Sequence, residues 1–192
     1  MIKRNVFMKD ADIREILHTY LKKENKSIRD TIIVDELDLC SGLARVDVAV
    51  INGIIHGYEI KSEEDTLVRL PFQVNYYNKT LEKITITTNL NHLKEVKNYI
   101  PKWWGLILVE DKKKTKLIEL RKARKNPGIE KQSLLQLLWK DELNKIAEEY
   151  NLEIKRSSNK RILQEIISNK LELKTISYEV RTALKSRQNW RS

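Results

Sequence analysis

Three charged residues in the first third of the chain have the types and spacing to do chemistry. Asp47 lies in one run of alternating residues, and Glu59 and Lys61 lie two apart in the next, so the latter pair shares one face of a strand. Two carboxylates converging from neighbouring strands can hold a divalent cation through hard oxygen ligands. A lysine beside them can orient or activate a water and offset phosphate charge. Register decides whether the three meet. A two-residue turn at Asn52-Gly53 sets Asp47 opposite Tyr58 and sends Glu59 to the other side of the sheet. A three-residue loop, Ile51-Asn52-Gly53 with Gly53 in the left-handed position of a bulged turn, sets Asp47 opposite Gly57 with Glu59 on the diagonal. Gly57 has no side chain to obstruct a metal, and the sequence predicts this bulged loop or a compensating bulge nearby. Glu-x-Lys is also the pattern of an ordinary surface ion pair. The apolar flanks Val46, Val48 and Ile60 instead place these strands centrally, where charges are costly unless paired or bound.

The elements that position these residues follow from periodicity. Asp10 to Lys23 reads as a helix capped by Asp10, with Ile13, Ile16, Leu17, Tyr20 and Leu21 on one face. Thr31–Leu37 reads as a strand, Ser41-Gly42 as a turn, and Ala44–Ile51 as a strand with Val46, Val48 and Val50 on one face. Ile54–Lys61 is the return strand. A helix follows over about Val68–Leu81, with Pro71 confined to its first turn. Lys83–Thr88 is a strand, Leu93–Ile100 a helix stopped by Pro101, and Gly105–Glu110 a strand that Thr115–Leu120 can pair with across an Asp111–Lys114 turn. This order predicts an α/β fold, a mixed sheet with helices packed on it. The basic run Arg121–Lys125, closed by Asn126-Pro127-Gly128, marks a boundary between a core of residues 1–120 and a helical tail of residues 121–192. The tail reads as helices over Lys131–Tyr150, about Asn159–Ser168 and Thr175–Ser186.

Arg45-Val46-Asp47-Val48-Ala49-Val50 followed by Tyr58-Glu59-Ile60-Lys61-Ser62 resembles the PD-(D/E)xK nuclease superfamily. The αβββαβ order is similar to its restriction-endonuclease-like core. Gln73-Val74-Asn75-Tyr76-Tyr77 resembles the Q-x-x-x-Y motif of the RecB-like and lambda-exonuclease-like branch. Asp65-Thr66-Leu67-Val68-Arg69-Leu70 resembles a segment that recurs in a family of small bacterial and phage proteins within that superfamily. The resemblance covers residues of about 10–110, and it lacks the proline that often precedes the aspartate. It implies a deoxyribonuclease that hydrolyses phosphodiester bonds to leave a 5′-phosphate end. Asp47, Glu59 and the Ile60 carbonyl would bind Mg²⁺ or Mn²⁺, Lys61 would position the attacking water, and Gln73 and Tyr77 would orient the substrate strand. The alternative is a nucleic-acid-binding or interaction module on the same fold without turnover.

Other residues extend or compete with that set. Glu36, in the strand beside that of Asp47, could add a third carboxylate, and the resemblance implies that Glu15 on the first helix could supply an acid and His18 a metal ligand. Arg69 can contact phosphate or pair with Glu63, Glu64 or Asp65. Trp103-Trp104, just before a strand, reads as core packing. The tail segment from Asp141 through the basic linker Lys155-Arg156-Ser157-Ser158-Asn159-Lys160-Arg161 resembles the helix–extended segment–helix of SAP-like DNA-binding modules. Lys155, Arg156, Lys160 and Arg161 would then contact phosphate without base readout. A competing role for this apolar-faced tail is docking on the core, on a second copy or on a protein partner.

Composition bounds the rest. A chain of 192 residues can bury a sizeable core without staples. Its single cysteine, Cys40, excludes an intramolecular disulfide and an all-cysteine zinc site. No apolar run suits a membrane span or a signal peptide, so the expected address is a reducing cytoplasm. Residues 1–120 carry 20 basic and 18 acidic side chains, and residues 121–192 carry 17 and 9, so the net charge of +10 lies mostly in the tail. That asymmetry points to a polyanion, with nucleic acid ahead of an anionic membrane surface; the nuclease resemblance implies DNA, and RNA is the other nucleic-acid candidate.

Overall fold

A computed structural model describes residues 8–110, 115–155, 157–188 and 190. The amphipathic opening segment is α1 (Asp10–Glu24), which buries Ile13, Leu17 and Leu21. Lys9, not Asp10, is the capping position, and its N–H donates to the Asp12 carboxylate at 3.1 Å. Strands β1 (Ile32–Leu39), β2 (Ala44–Ile51) and β3 (Ile55–Lys61) follow, then α2 (Leu70–Thr80), β4 (Lys83–Thr88), α3 (Leu90–Tyr99), β5 (Gly105–Glu110) and β6 (Lys116–Arg121). Pro71 sits in the first turn of α2, where its missing N–H costs nothing. The Asp111–Lys114 turn lies outside the described residues.

The strands form one six-stranded mixed sheet in sequence order, β1 to β6. β1, β2 and β3 run antiparallel, β3, β4 and β5 parallel, and β6 antiparallel to β5. Parallel neighbours require crossovers, which α2 and α3 supply. One face of the sheet packs on α1 through Val48, Val50, Tyr58, Ile60, Ile107 and Val109. The other buries Val46, Ile51, Ile84, Ile86 and Leu106 under α2, α3 and the tail.

The tail is all helical: α4 (Lys131–Leu135), α5 (Lys140–Glu149), α6 (Lys160–Lys170) and α7 (Leu173–Ser186). The single helix expected over Lys131–Tyr150 is two. Tight Leu137 N–H to Leu134 O and Leu138 N–H to Leu135 O bonds end α4. Trp139 then turns extended and caps α5, with its N–H 2.6 Å from the Glu142 carboxylate. The break lets Leu134, Leu135, Leu138 and Leu143 all reach the apolar cluster shared with the sheet. Arg181 of α7 reaches Glu82 at the start of β4 at 2.8 Å, and the other Glu82 oxygen accepts from the Ile55 N–H at 2.7 Å. The tail therefore packs on the core, the first of the competing roles named for its apolar face. Among the described residues no helix is long and apolar enough to cross a membrane.

The hairpin differs from expectation in register. Its loop has three residues, but they are Asn52, Gly53 and Ile54, because Ile51 pairs with Ile55 and Ala49, not Asp47, faces Gly57. The side chain of Asn52, not a left-handed Gly53, holds the turn: it accepts from the Ile54 N–H at 3.2 Å and donates to Asn25 at 3.1 Å. A Cβ on Gly57 would meet Leu81 and come within 3.2 Å of Val46, so this glycine makes room for the core and not for a cation.

Candidate functional site: a buried charge network at the parting of two strands

Continuing the observed register sets Asp47 opposite Glu59, but regular pairing of β2 with β3 stops at Val48–Tyr58. Beyond that point the Asp47 carboxylate replaces the backbone, accepting from the Ile60 N–H at 2.6 Å. On the other side of β2, Glu36 adopts a left-handed φ of 55° beside Asp47, and the β1–β2 pairs skip these two residues. Both strands exchange faces there. Val46 joins the cluster under α2 and Val48 the cluster under α1, so the valines do not share the single face that alternation predicts. An irregularity in two adjacent strands re-aims their side chains, as a bulge does.

The two carboxylates are consequently served by different helices. Glu59 is satisfied from the α2 side: its Oε1 accepts from Lys61 Nζ and from Gln73 Nε2, each at 2.6 Å, and its Oε2 lies 2.5 Å from the Tyr77 hydroxyl. The Tyr77 oxygen is also 2.7 Å from the Arg45 carbonyl, and its one proton serves one of the two acceptors at a time. Burial and the nearby Glu59 charge push the Tyr77 phenol far up, so it remains a donor. Asp47 is served from the α1 side by Arg14, which donates to its carbonyl at 2.7 Å and to its Oδ1 at 3.3 Å. Burial, then the Glu59 charge, push the Asp47 carboxyl up to about 8 against the pull of the Ile60 N–H, Arg14 and Lys61.

Arg14 is the residue that sequence reasoning missed. Its guanidinium also meets Glu36 at 2.9 Å and Asp10 at 3.1 Å, with Asp35 at 3.7 Å. The only local signal was its spacing of four from Asp10; the partners in β1 and β2 are remote in sequence. Glu36 thus joins Asp47 through Arg14, and its second oxygen pairs with Arg45 at 2.9 Å. His18 pairs with Asp35 at 2.7 Å, and Glu15 is exposed on α1. Trp104 is fully buried, stacked 6.0 Å from Tyr77 and bonded to Asn78, as core packing requires.

Sequence-selected Asp47, Glu59, Lys61, Gln73 and Tyr77 therefore do come together. Arg69 is exposed at the start of α2, and Asp65 is taken by the Ser62 N–H and hydroxyl, both at 2.7 Å. Lys155 and Arg161 are exposed in the tail. Lys160 is half-buried and donates to the Gln136 carbonyl at 3.2 Å, and burial, with Arg187 nearby, lowers its pKa, so it is not the free phosphate contact expected. Arg156 lies outside the described residues.

The donor set does not fit the Mg²⁺ or Mn²⁺ ion that the nuclease resemblance implies. Glu59 Oε1 and both Asp47 oxygens already accept from protein donors, Glu59 Oε2 shares the Tyr77 proton with the Arg45 carbonyl, and an arginine stands between Asp47 and Glu36. Among the described residues no group of three or more histidine, cysteine or carboxylate side chains is placed to hold a metal. Adding 10 mM Mg²⁺ or Mn²⁺ should accordingly change the thermal midpoint by less than about 1 °C, whereas a site filled to a hundred times its Kd stabilises by about 2.7 kcal/mol. A rise of several degrees in a thermal melt would show that the network opens to admit a cation.

Comparison with known proteins bears on the same point. The chain is 25% identical over 181 residues to Protein cII of Enterobacteria phage P4, an alignment covering 94% of this chain and 68% of that protein. No solved structure matches the chain. The family model that matches, over residues 4–192, is described as Bacteriophage P4 protein cII. These matches name no nuclease family, and they overturn both the placement in the PD-(D/E)xK superfamily and the hydrolase reading drawn from it. Short motifs shared with nucleases had carried that placement, whereas the cII match spans the core and the tail together. The chain belongs to the bacteriophage P4 protein cII family.

Proposed function

We propose that this protein is a non-catalytic DNA-binding module whose C-terminal helices contact the phosphate backbone. The observation that carries this reading is the charge distribution. Residues 121–192 hold 17 basic and 9 acidic side chains. Within them Lys122, Lys125, Lys155 and Arg161 are exposed and make no ion pair among the described residues. The placement of Lys155 supports it: the Ser158 N–H donates to the Lys155 carbonyl at 2.9 Å in a turn that leads directly into α6, where the Asn159 side chain caps the Ile162 N–H at 3.0 Å. Helix N-termini and nearby cations favour phosphate. The sheet network favours it less, since the carboxylates of Asp10, Asp35, Glu36 and Glu59 still outnumber the cations Arg14, Arg45 and Lys61. The αβββαβ order supports a restriction-endonuclease-like layout for the core, here serving as a scaffold without turnover.

Fluorescence anisotropy with labelled DNA over a range of salt tests this reading. Affinity should fall steeply with salt, and Lys155→Glu/Arg161→Glu should weaken binding at least tenfold at about 100 mM salt while reducing the log–log salt slope by about 2. Equal binding by the variant, or no salt dependence, refutes the assignment to the tail. Cleavage of the probe on adding Mg²⁺ refutes the absence of turnover, and preferential competition by RNA moves the partner from DNA to RNA.

A further inference from the structure

The start of α2 leaves large apolar side chains exposed to water. Val68, just before the helix, is 83% exposed and Phe72 is 54% exposed. They are four residues apart, and the stripe continues to Tyr76, whose ring meets that of Phe72 edge-on at a centroid distance of 4.6 Å. Tyr76 is itself partly buried against the core, so Phe72 is braced from one side while its remaining surface faces water. Arg69 lies three residues before Phe72, one turn away on the same side of the helix, with Cβ atoms about 5–6 Å apart. It is exposed and has no ion-pair partner among the described residues. A braced aromatic ring beside a free cation is the combination that takes an unpaired base on its π-face and the adjoining phosphate on the charge.

We infer that Phe72 and Arg69 form a stacking site for an unpaired base of single-stranded DNA. This rests on the DNA-binding reading above and adds a substrate class to it. The tail cations alone hold single- and double-stranded DNA through phosphate, without distinction by strand. The α2 site distinguishes them, because a duplex keeps its base faces stacked on one another. Charge complementarity favours this occupant over a second copy of the chain: the site carries an unpaired cation in a protein of net charge +10, so a second copy brings like net charge whereas a nucleic-acid strand brings phosphates.

The test compares wild type, Phe72→Ala and Phe72→Trp against a labelled single strand and its duplex at equal salt. Phe72→Ala should weaken single-strand binding by about tenfold and leave duplex binding within twofold, and Phe72→Trp should restore it. A single strand carrying 2-aminopurine should change its fluorescence on binding wild type but not on binding Phe72→Ala. The exposed position predicts an unchanged thermal midpoint for both variants. Equal single-strand affinity in wild type and Phe72→Ala overturns the inference, as does an equal loss on both DNAs. A dimer seen by sedimentation that Phe72→Ala dissociates also overturns it, in favour of a second copy. If wild type binds no DNA at all, the DNA-binding reading itself fails; binding that ignores Phe72 refutes the stacking site alone.

Discussion

Lys61→Met should lower the unfolding free energy by about 3–4 kcal/mol, the largest effect expected of any substitution in the charge network. The side chains of Lys61 and Glu59 are only 6% and 2% exposed and meet at 2.6 Å. Removing the ammonium leaves a carboxylate in the core with only the Gln73 amide and the Tyr77 hydroxyl as donors. Breaking one half of a buried pair costs more than replacing both halves, because the survivor keeps its desolvation penalty. The double variant Glu59→Gln/Lys61→Met should therefore recover about half of the loss: the new amide can still accept from Tyr77, and no net charge remains inside. Urea unfolding followed by circular dichroism measures all three proteins. A Lys61→Met protein within about 0.5 kcal/mol of wild type would show that the pair is solvated in solution, and the structural role assigned to the network would fall.

The second large effect is a loss of stability in mild alkali. Asp47 binds its proton up to about pH 8 in the fold, but releases it near its ordinary value of 3.8 when unfolded. Between those values the folded state holds more protons than the unfolded one, so stability falls as pH rises. From pH 6.5 to 9 this amounts to about 2 kcal/mol. His56 acts in the opposite sense. Burial, with Lys83 nearby, lowers it to about 3, so below its unfolded value of 6.5 the unfolded chain takes up a proton that the fold refuses. Stability from His56 is present above pH 6.5 and is lost as pH falls. The two oppose each other between about pH 4 and 6.5, and only Asp47 acts above. Wild type should thus show a plateau in weak acid followed by an alkaline decline. Asp47→Asn should abolish the decline and uncover a rise in stability towards pH 6.5. Unfolding curves at pH 5, 6.5, 8 and 9 separate these shapes, and an alkaline decline that survives Asp47→Asn would assign it elsewhere.

Both effects arise where β2 and β3 separate, a place the sequence describes only in part. Local patterning was sufficient for the elements. The alternating runs over Ala44–Ile51 and Lys83–Thr88, the apolar run over Gly105–Glu110 and the helical spacing of α1 matched the observed elements to within a residue, because backbone geometry and neighbouring side chains determine those states. An odd-length hairpin loop was also legible in the need to bring Asp47 and Glu59 to one place. Its register was not, because Asn52 completes the turn by bonding to Asn25, which is distant in sequence and adjacent only in the fold.

What the sequence determined by itself was therefore the order of helices and strands, the apolar faces that drive them together, and a basic tail. The identity of five charged or polar residues that meet at one site was legible too. Only the tertiary structure decided what those residues do to one another. The left-handed turn at Glu36 and the end of pairing at Val48 divide Asp47 and Glu59 between α1 and α2. Arg14 then takes up Asp47 and Glu36, and Arg45 takes up Glu36, carboxyl groups that the spacing alone suggested for a cation. Charge interactions depend on distance and burial, which contacts between remote segments set, and a motif of a few residues carries neither quantity.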